Sequence, residues 1–129
     1  MFASGKKIIL PDSVDFIDRG DPASADFTQA TLIEDNDWHD LDLSGIVGAA
    51  AKLVLIRFQI QVDDTGLGAF IREKGNANTV NAGKLYSQAV NVYHAGECLV
   101  MTDATGKCEY LFANGTWNMI TITVGGWYE

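Results

Sequence analysis

Hydrophobic and polar residues alternate along much of this chain. In "AKLVLIRFQIQV", Val54, Ile56, Phe58, Ile60 and Val62 fall on one face and Arg57, Gln59 and Gln61 on the other. A period of two marks a strand with one buried face. "TWNMITITV" likewise sets Ile120, Ile122 and Val124 against Met119, Thr121 and Thr123, and "KCEYLF" groups Cys108, Tyr110 and Phe112 opposite Lys107 and Glu109. Further strands are expected at Lys6–Leu10, Phe27–Ile33, Trp38–Leu43, Ala69–Glu73, Leu85–Tyr93 and Glu97–Met101. No long segment carries a helical stripe. "SGIVGAAAKL" comes nearest, and its two glycines and short length predict a turn or a single helical turn.

Turn-forming residues sit between these strands. "DDTG" follows Val62, "KGNAN" follows Glu73, "TDATGK" follows Met101 and "ANGT" follows Phe112. Gly, Asn and Asp accept the left-handed conformations that such connections require. Short strands at regular intervals predict a sandwich or a barrel. Both prolines, Pro11 and Pro22, lie near the N-terminus. Residues 1–25 are therefore expected to form an extended arm or edge segment and residues 26–129 an antiparallel β-sandwich. The fold class is all-β.

At 129 residues, with 47% hydrophobic and 20% charged residues, the chain fits one globular domain. Its net charge of -8 opposes binding to a phosphate backbone, which needs a basic face, and opposes an anionic membrane surface. Neither nucleic acid nor membrane is an expected partner. The apolar run Ile8–Leu10 stops at Pro11, short of the roughly 7 to 15 apolar residues of a secretory signal. Folding in a cytoplasm, with reduced thiols, is the expectation.

The densest chemistry lies in "IEDNDWHDLDLSGIV", where Glu34, Asp35, Asp37, Asp40 and Asp42 surround Trp38 and His39. A calcium loop needs alternating carboxylates, a glycine at its sixth position and a glutamate at its twelfth. Asp35 and Asp37 fit, but position five is His39, position six is Asp40, and position twelve falls in an apolar run. Alternation instead puts Leu41 and Leu43 inward with His39 at the strand entrance, leaving Asp40 and Asp42 in water. Residues 34–37 then form a turn, using Asp and Asn to bond nearby amides. No metal is expected.

No nucleophile or zinc-protease motif accompanies His39 and His94. The connecting loops read as short, leaving little room for a catalytic cleft. The protein is not expected to be an enzyme, and no catalytic residue or cofactor is assigned. Cys98 and Cys108 flank the "TDATG" turn and so could lie on adjacent strands of one hairpin. Free buried thiols are expected over a bridge or a metal pair. The tripeptide Arg19-Gly20-Asp21 and the sequon Asn114-Gly115-Thr116 both read as loops, and Gly66 and Gly68 open no helix that could cradle phosphate. Trp38, Trp117, Trp127 and Tyr128 could build an aromatic sugar platform, although rings on sandwich strands usually supply core.

The ordered patterns "DRGDP", "WHDLDLSGIV", "AKLVLIRFQIQVDD", "REKGNAN" and "NGTWNMITITVGGWY" together resemble a β-sandwich module of tailed-phage and environmental-virus structural proteins. The resemblance covers most of the chain from about Asp18 onward. It implies a jelly-roll-like module on the virion, as head decoration or tail appendage. The 129 residues contain no collagen-like, coiled-coil or tail-attachment segment, which favours a capsid decoration or cement protein over a fibre tip. A head-surface location follows, with assembly in the host cytoplasm. The expected partners are the major capsid protein and neighbouring copies, commonly as a homotrimer. In that setting Phe2, Ile8, Ile9 and Leu10 of the arm are the expected capsid or inter-subunit contacts, unless Ile8–Leu10 is simply the first sandwich strand. The alternative is a tail-fibre, receptor-binding or carbohydrate-binding module in which Trp38, Trp117 and Trp127 meet a surface glycan.

Overall fold

Residues with alternating faces form the strands of two stacked sheets. A computed structural model describes residues 14–129. The expected strand Lys6–Leu10 and the expected contacts Phe2, Ile8, Ile9 and Leu10 lie outside the described residues. The strands are β1 (Phe16–Asp18), β2 (Phe27–Thr28), β3 (His39–Asp42), β4 (Leu53–Val62), β5 (Gly68–Arg72), β6 (Gly83–Tyr86), β7 (His94–Met101), β8 (Lys107–Phe112) and β9 (Trp117–Tyr128). The helical temptation in "SGIVGAAAKL" is a single turn, α1 (Ser44–Val47).

All strand pairs are antiparallel. Sheet A has the order β1–β9–β4–β7, with β2 also on β9, and sheet B has the order β3–β8–β5–β6. From β2 to β9 every connection crosses between the sheets except β5 to β6. This is the double-sheet jelly-roll path. Between the sheets lie Val54, Ile56, Phe58, Ile60 and Val62 of β4, facing Leu41, Ile71, Cys108, Tyr110 and Phe112. Ile120, Ile122 and Val124 of β9 complete the interior. The alternation read from these segments is the alternation of burial.

Three expectations change. The segment Phe27–Ile33 is strand only at Phe27–Thr28 and then turns as a short 3-10 helix, Gln29–Thr31. There the Thr31 hydroxyl accepts the Thr28 N–H and donates to the Thr28 carbonyl, so local side-chain bonds replace the ladder. The expected strand Leu85–Tyr93 ends at Tyr86. Ser87, only 1% exposed, ties itself to the neighbouring loop through its hydroxyl and amide. Asn91 then takes a left-handed φ of 58°. Finally, the loops at residues 73–82 and 87–93 are longer than expected.

Loops gather at two ends. At one end Asp63 N–H bonds the Thr116 carbonyl and Asn91 N–H bonds the Val62 carbonyl. At the other, Thr102 is 2% exposed; its hydroxyl accepts the Lys52 N–H at 2.9 Å and donates to the Ala50 carbonyl at 2.9 Å. Gly106 sits in the same weave with φ +83°, and a Cβ there would come within 2.5 Å of the Gly48 carbonyl oxygen and 2.9 Å of Ser44 Cβ. Gly20 has φ +88° but open space around it.

These two glycines separate backbone strain from steric exclusion. Gly20→Ala should cost about 1 to 2 kcal/mol, the left-handed penalty alone. Gly106→Ala should cost clearly more, because the backbone it meets cannot rotate away. Urea midpoints at unchanged slope check the difference; equal losses would contradict it.

Candidate functional site

The acidic stretch is built as a turn that enters β3. Asp35 Oδ1 accepts the Asp37 N–H at 3.0 Å and lies 2.8 Å from His39 Nε2. The His39 bond, with the Asp37 amide, holds the Asp35 carboxyl below its ordinary range. Asn36 takes φ 64°, and its N–H bonds the Phe112 carbonyl at 2.9 Å. Asp40 pairs with Lys74 at 2.8 Å, and Asp42 accepts the Ser44 N–H at 3.0 Å. Leu41 and Leu43 are buried while Asp40 and Asp42 are exposed. Each of these carboxylates therefore holds backbone or a lysine. Among the described residues no three His, Cys, Asp or Glu side chains are grouped to hold a metal ion.

The two cysteines do not share a hairpin. β7 pairs with β4 in sheet A, whereas β8 pairs with β3 and β5 in sheet B, so "TDATGK" crosses between the sheets. The one-hairpin expectation failed because period-two patterning does not reveal which sheet a strand joins. Both thiols are free. Cys98 points inward against Gly83 of β6, where an added Cβ would lie 2.8 Å from its Sγ. Burial pushes the Cys98 thiol up to about 11. Burial also raises Cys108, with the nearby Cys98 adding to the effect.

The three tryptophans stand in different surroundings and share no face. Trp117 is 5% exposed, donates its indole N–H to the Ala113 carbonyl at 2.8 Å and packs edge-on against Phe112. It belongs to the core. Trp127 pairs with Val54 and packs against that core, its indole nitrogen buried and unpartnered among the described residues. Trp38 lies on the outer side of sheet B. The Arg72 guanidinium stacks 3.7 Å from its ring centroid and donates from Nε to Glu109 at 3.0 Å. Phe70 lies 6.3 Å from Trp38, and Tyr86 stands edge-on to Phe70 at 5.4 Å. This layer of Trp38, Arg72, Phe70 and Tyr86 was not assembled by sequence reasoning, which did not pair β5 with β6 and β8. The alternation in "GAFIR" carried the only signal.

A second feature missed in the sequence is the loop at residues 87–93. Asn91 is clamped from three sides: its N–H bonds the Val62 carbonyl, its carbonyl accepts from Gln61 Nε2 at 3.0 Å, and its side-chain oxygen accepts from Asn118. The flanking apolar side chains are left in water: Val90 is 49% exposed, Val92 48% and Tyr93 62%. Three exposed apolar side chains thus fall within four residues of a loop that Asn91 holds in place.

The thiol environment gives a pH prediction. A raised thiol pKa means the fold favours the neutral form. Stability should be fully present below pH 9.0, the ordinary value, and should fall as pH rises toward about 11. Urea midpoints across that window should decline, and Cys98→Ala should decline less steeply. Identical slopes would contradict this origin.

No family model matches the chain, and no curated protein matches it. Among solved structures it is similar to the coat protein of Tobacco streak virus, at 9% identity and a TM-score of 0.38, covering 95% of this chain and 88% of that one. It is also similar to a carbohydrate-binding module from Cellvibrio mixtus lichenase 5A in complex with cellotriose, at 17% identity and a TM-score of 0.34, covering 88% of this chain and 90% of that one.

Proposed function

We propose that this protein is a non-enzymatic structural component of a phage virion, a decoration or cement protein that binds the assembled head shell. The observation that carries this reading is the clamped apolar loop tip, Val90, Val92 and Tyr93. The chain carries a net charge of -8, so an exposed apolar tip needs a partner to be an advantage over a polar one. A docking surface at one end of a rigid sandwich suits a protein that touches a lattice and projects from it. Binding only the assembled shell stabilises it by mass action, and many copies make weak individual contacts effective. In this reading the partners are the major capsid protein and neighbouring copies, with Phe2, Ile8, Ile9 and Leu10 of the arm adding contacts. Assembly takes place in the host cytoplasm and the protein resides on the head surface.

A second reading, a glycan-binding module, is favoured by the aromatic layer on sheet B, where Tyr86 is 43% exposed beside Phe70. Its Trp38 ring is already covered on one side by Arg72, which leaves Tyr86 as its first testable residue.

Immunogold labelling of purified virions followed by co-sedimentation with emptied heads tests both. The decoration reading expects dense label over the head and loss of most head binding in Val90→Asp/Tyr93→Asp and in a chain lacking residues 1–12, with each variant still folded by circular dichroism. Label confined to the tail, with glycan binding lost in Tyr86→Ala, would overturn it in favour of the second reading. Head binding unchanged both by the Val90→Asp/Tyr93→Asp double variant and by loss of residues 1–12 would overturn the assigned surface.

A further inference from the structure

Sheet A presents an outer face on β4 and β7 whose cross-strand pairs match in chemistry: apolar against apolar, opposite charges together, and a long side chain beside a small one. The register sets Leu55 opposite Leu99, Arg57 opposite Glu97 and Gln59 opposite Ala95. All six side chains point away from the core, since their neighbours Val54, Ile56, Phe58 and Ile60 are buried. Leu99 is 56% exposed, and the side chains of Arg57 and Glu97 are each 62% exposed. Beside Gln59 the small Ala95 and Gly96 leave a shallow depression of about 530 Å³, which Thr121 and Thr123 of β9 border on the other side. Among the described strands β7 pairs only with β4.

A two-fold axis running parallel to the strands, midway between β4 and β7, has a simple consequence. It brings β4 of one copy over β7 of the other, so every cross-strand pair is repeated between copies. Leu55 then meets the leucine at position 99 of the second copy, Arg57 meets its glutamate at position 97, and Gln59 enters the depression over its alanine at position 95. No like charges are placed together. Two-fold contacts require this kind of self-complementary patch, and sheets packed face to face with nearly aligned strands are a standard arrangement.

We propose that the outer face of β4 and β7 is a two-fold interface for a second copy of this chain. The pairing is separate from the loop tip of residues 90–93 and goes beyond the virion reading, since it holds for the free protein in solution. It is also a pair, where the sequence resemblance implied a trimer. The net charge of -8 on each copy opposes association at low salt, so the dimer strengthens as salt is raised and the long-range repulsion is screened. Rim charges chiefly set register and partner choice, and the two leucines supply the apolar contact.

The test is sedimentation velocity on the full chain from about 5 to 200 µM, at low and at moderate salt. The wild type should form a dimer, more strongly at moderate salt, and Leu99→Asp should remain monomeric with an unchanged circular dichroism spectrum. The decisive arm uses charge reversal. Arg57→Glu places glutamate against glutamate in its own dimer, and Glu97→Arg places arginine against arginine, so each alone should be monomeric. Mixed in equal amounts they should form one-to-one heterodimers, because both contacts then join unlike charges. A monomeric wild type throughout the range would overturn the proposal. So would a dimer insensitive to Leu99→Asp, or a mixture that fails to associate. A wild type that dimerises only after residues 1–12 are removed would assign the face to this chain's own N-terminal segment, and would also overturn it. Head binding by co-sedimentation reads the virion proposal independently, so either can fail alone.

Discussion

The pairing of β4 with β9 is the constraint on which the other elements depend. These two strands run side by side over most of their lengths, from Leu53 with Tyr128 to Val62 with Trp117. Everything in sheet A is added to that pair, with β7 on the free edge of β4 and both β1 and β2 on the free edge of β9. Because a strand's side chains alternate, a register slip of one residue would turn Ile56, Phe58 and Ile60 toward water. The register is kept by the buried row they form with Ile120, Ile122 and Val124, and it is broken at only two places. One break falls beside Gly125, between the pairs Ile56–Val124 and Leu55–Gly126, where an extra residue re-aims the end of β9. The flat course of Gly126 then lets the Phe16 ring lie across it, at a spot where a Cβ would come within 2.2 Å of that ring.

Much of this fold was legible because burial on one face of a strand writes itself into the sequence with period two. The inward residues of β4, β8 and β9 were read correctly, as were the single helical turn after Leu43 and the acidic turn before His39. Strand partners were not legible. Which sheet β7 or β8 joins depends on contacts far apart in the chain, so the sequence leaves one hairpin open to the two cysteines although they lie in opposite sheets. Leu85–Tyr93 failed for a related reason. Its apolar residues suit a strand, but Ser87 bonds to the neighbouring loop and Asn91 to the ends of β4 and β9, and Val90 and Val92 are left outward.

The candidate surfaces were less legible than the core, for the same physical reason. A core residue is specified by its own strand's pattern, whereas a surface is assembled from several strands. Trp38 stands out in the sequence, yet its neighbours Arg72, Phe70 and Tyr86 come from β5 and β6. Of the two tryptophans grouped with it on chemical type, Trp117 lies in the interior and Trp127 packs partly buried against it. The Asp35 carboxylate is instead held by His39 and the Asp37 amide, and those of Asp42 and Asp103 by nearby hydroxyls and amides, which keeps all three pKa values low. Much of the acidity that looked like a ligand set acts locally, in setting turns.

The placement of β9 also governs when this domain can fold. It lies between β4 on one side and β1 with β2 on the other, and Asp15 and Glu129 exchange two backbone hydrogen bonds beside it. As the chain leaves the ribosome, β1 and β2 emerge first and have nothing to pair with until β9 follows. The segments from β3 to β8 can collapse earlier, but sheet A stays split into a β4–β7 ribbon and two orphan strands. Closure is thus a late event dominated by contacts distant in sequence, the kind of topology that folds slowly. During that interval the apolar face of β4 and its unpaired edge are open to other nascent chains, so the rate of synthesis and the crowding of copies at one site bear on how much protein reaches the native state.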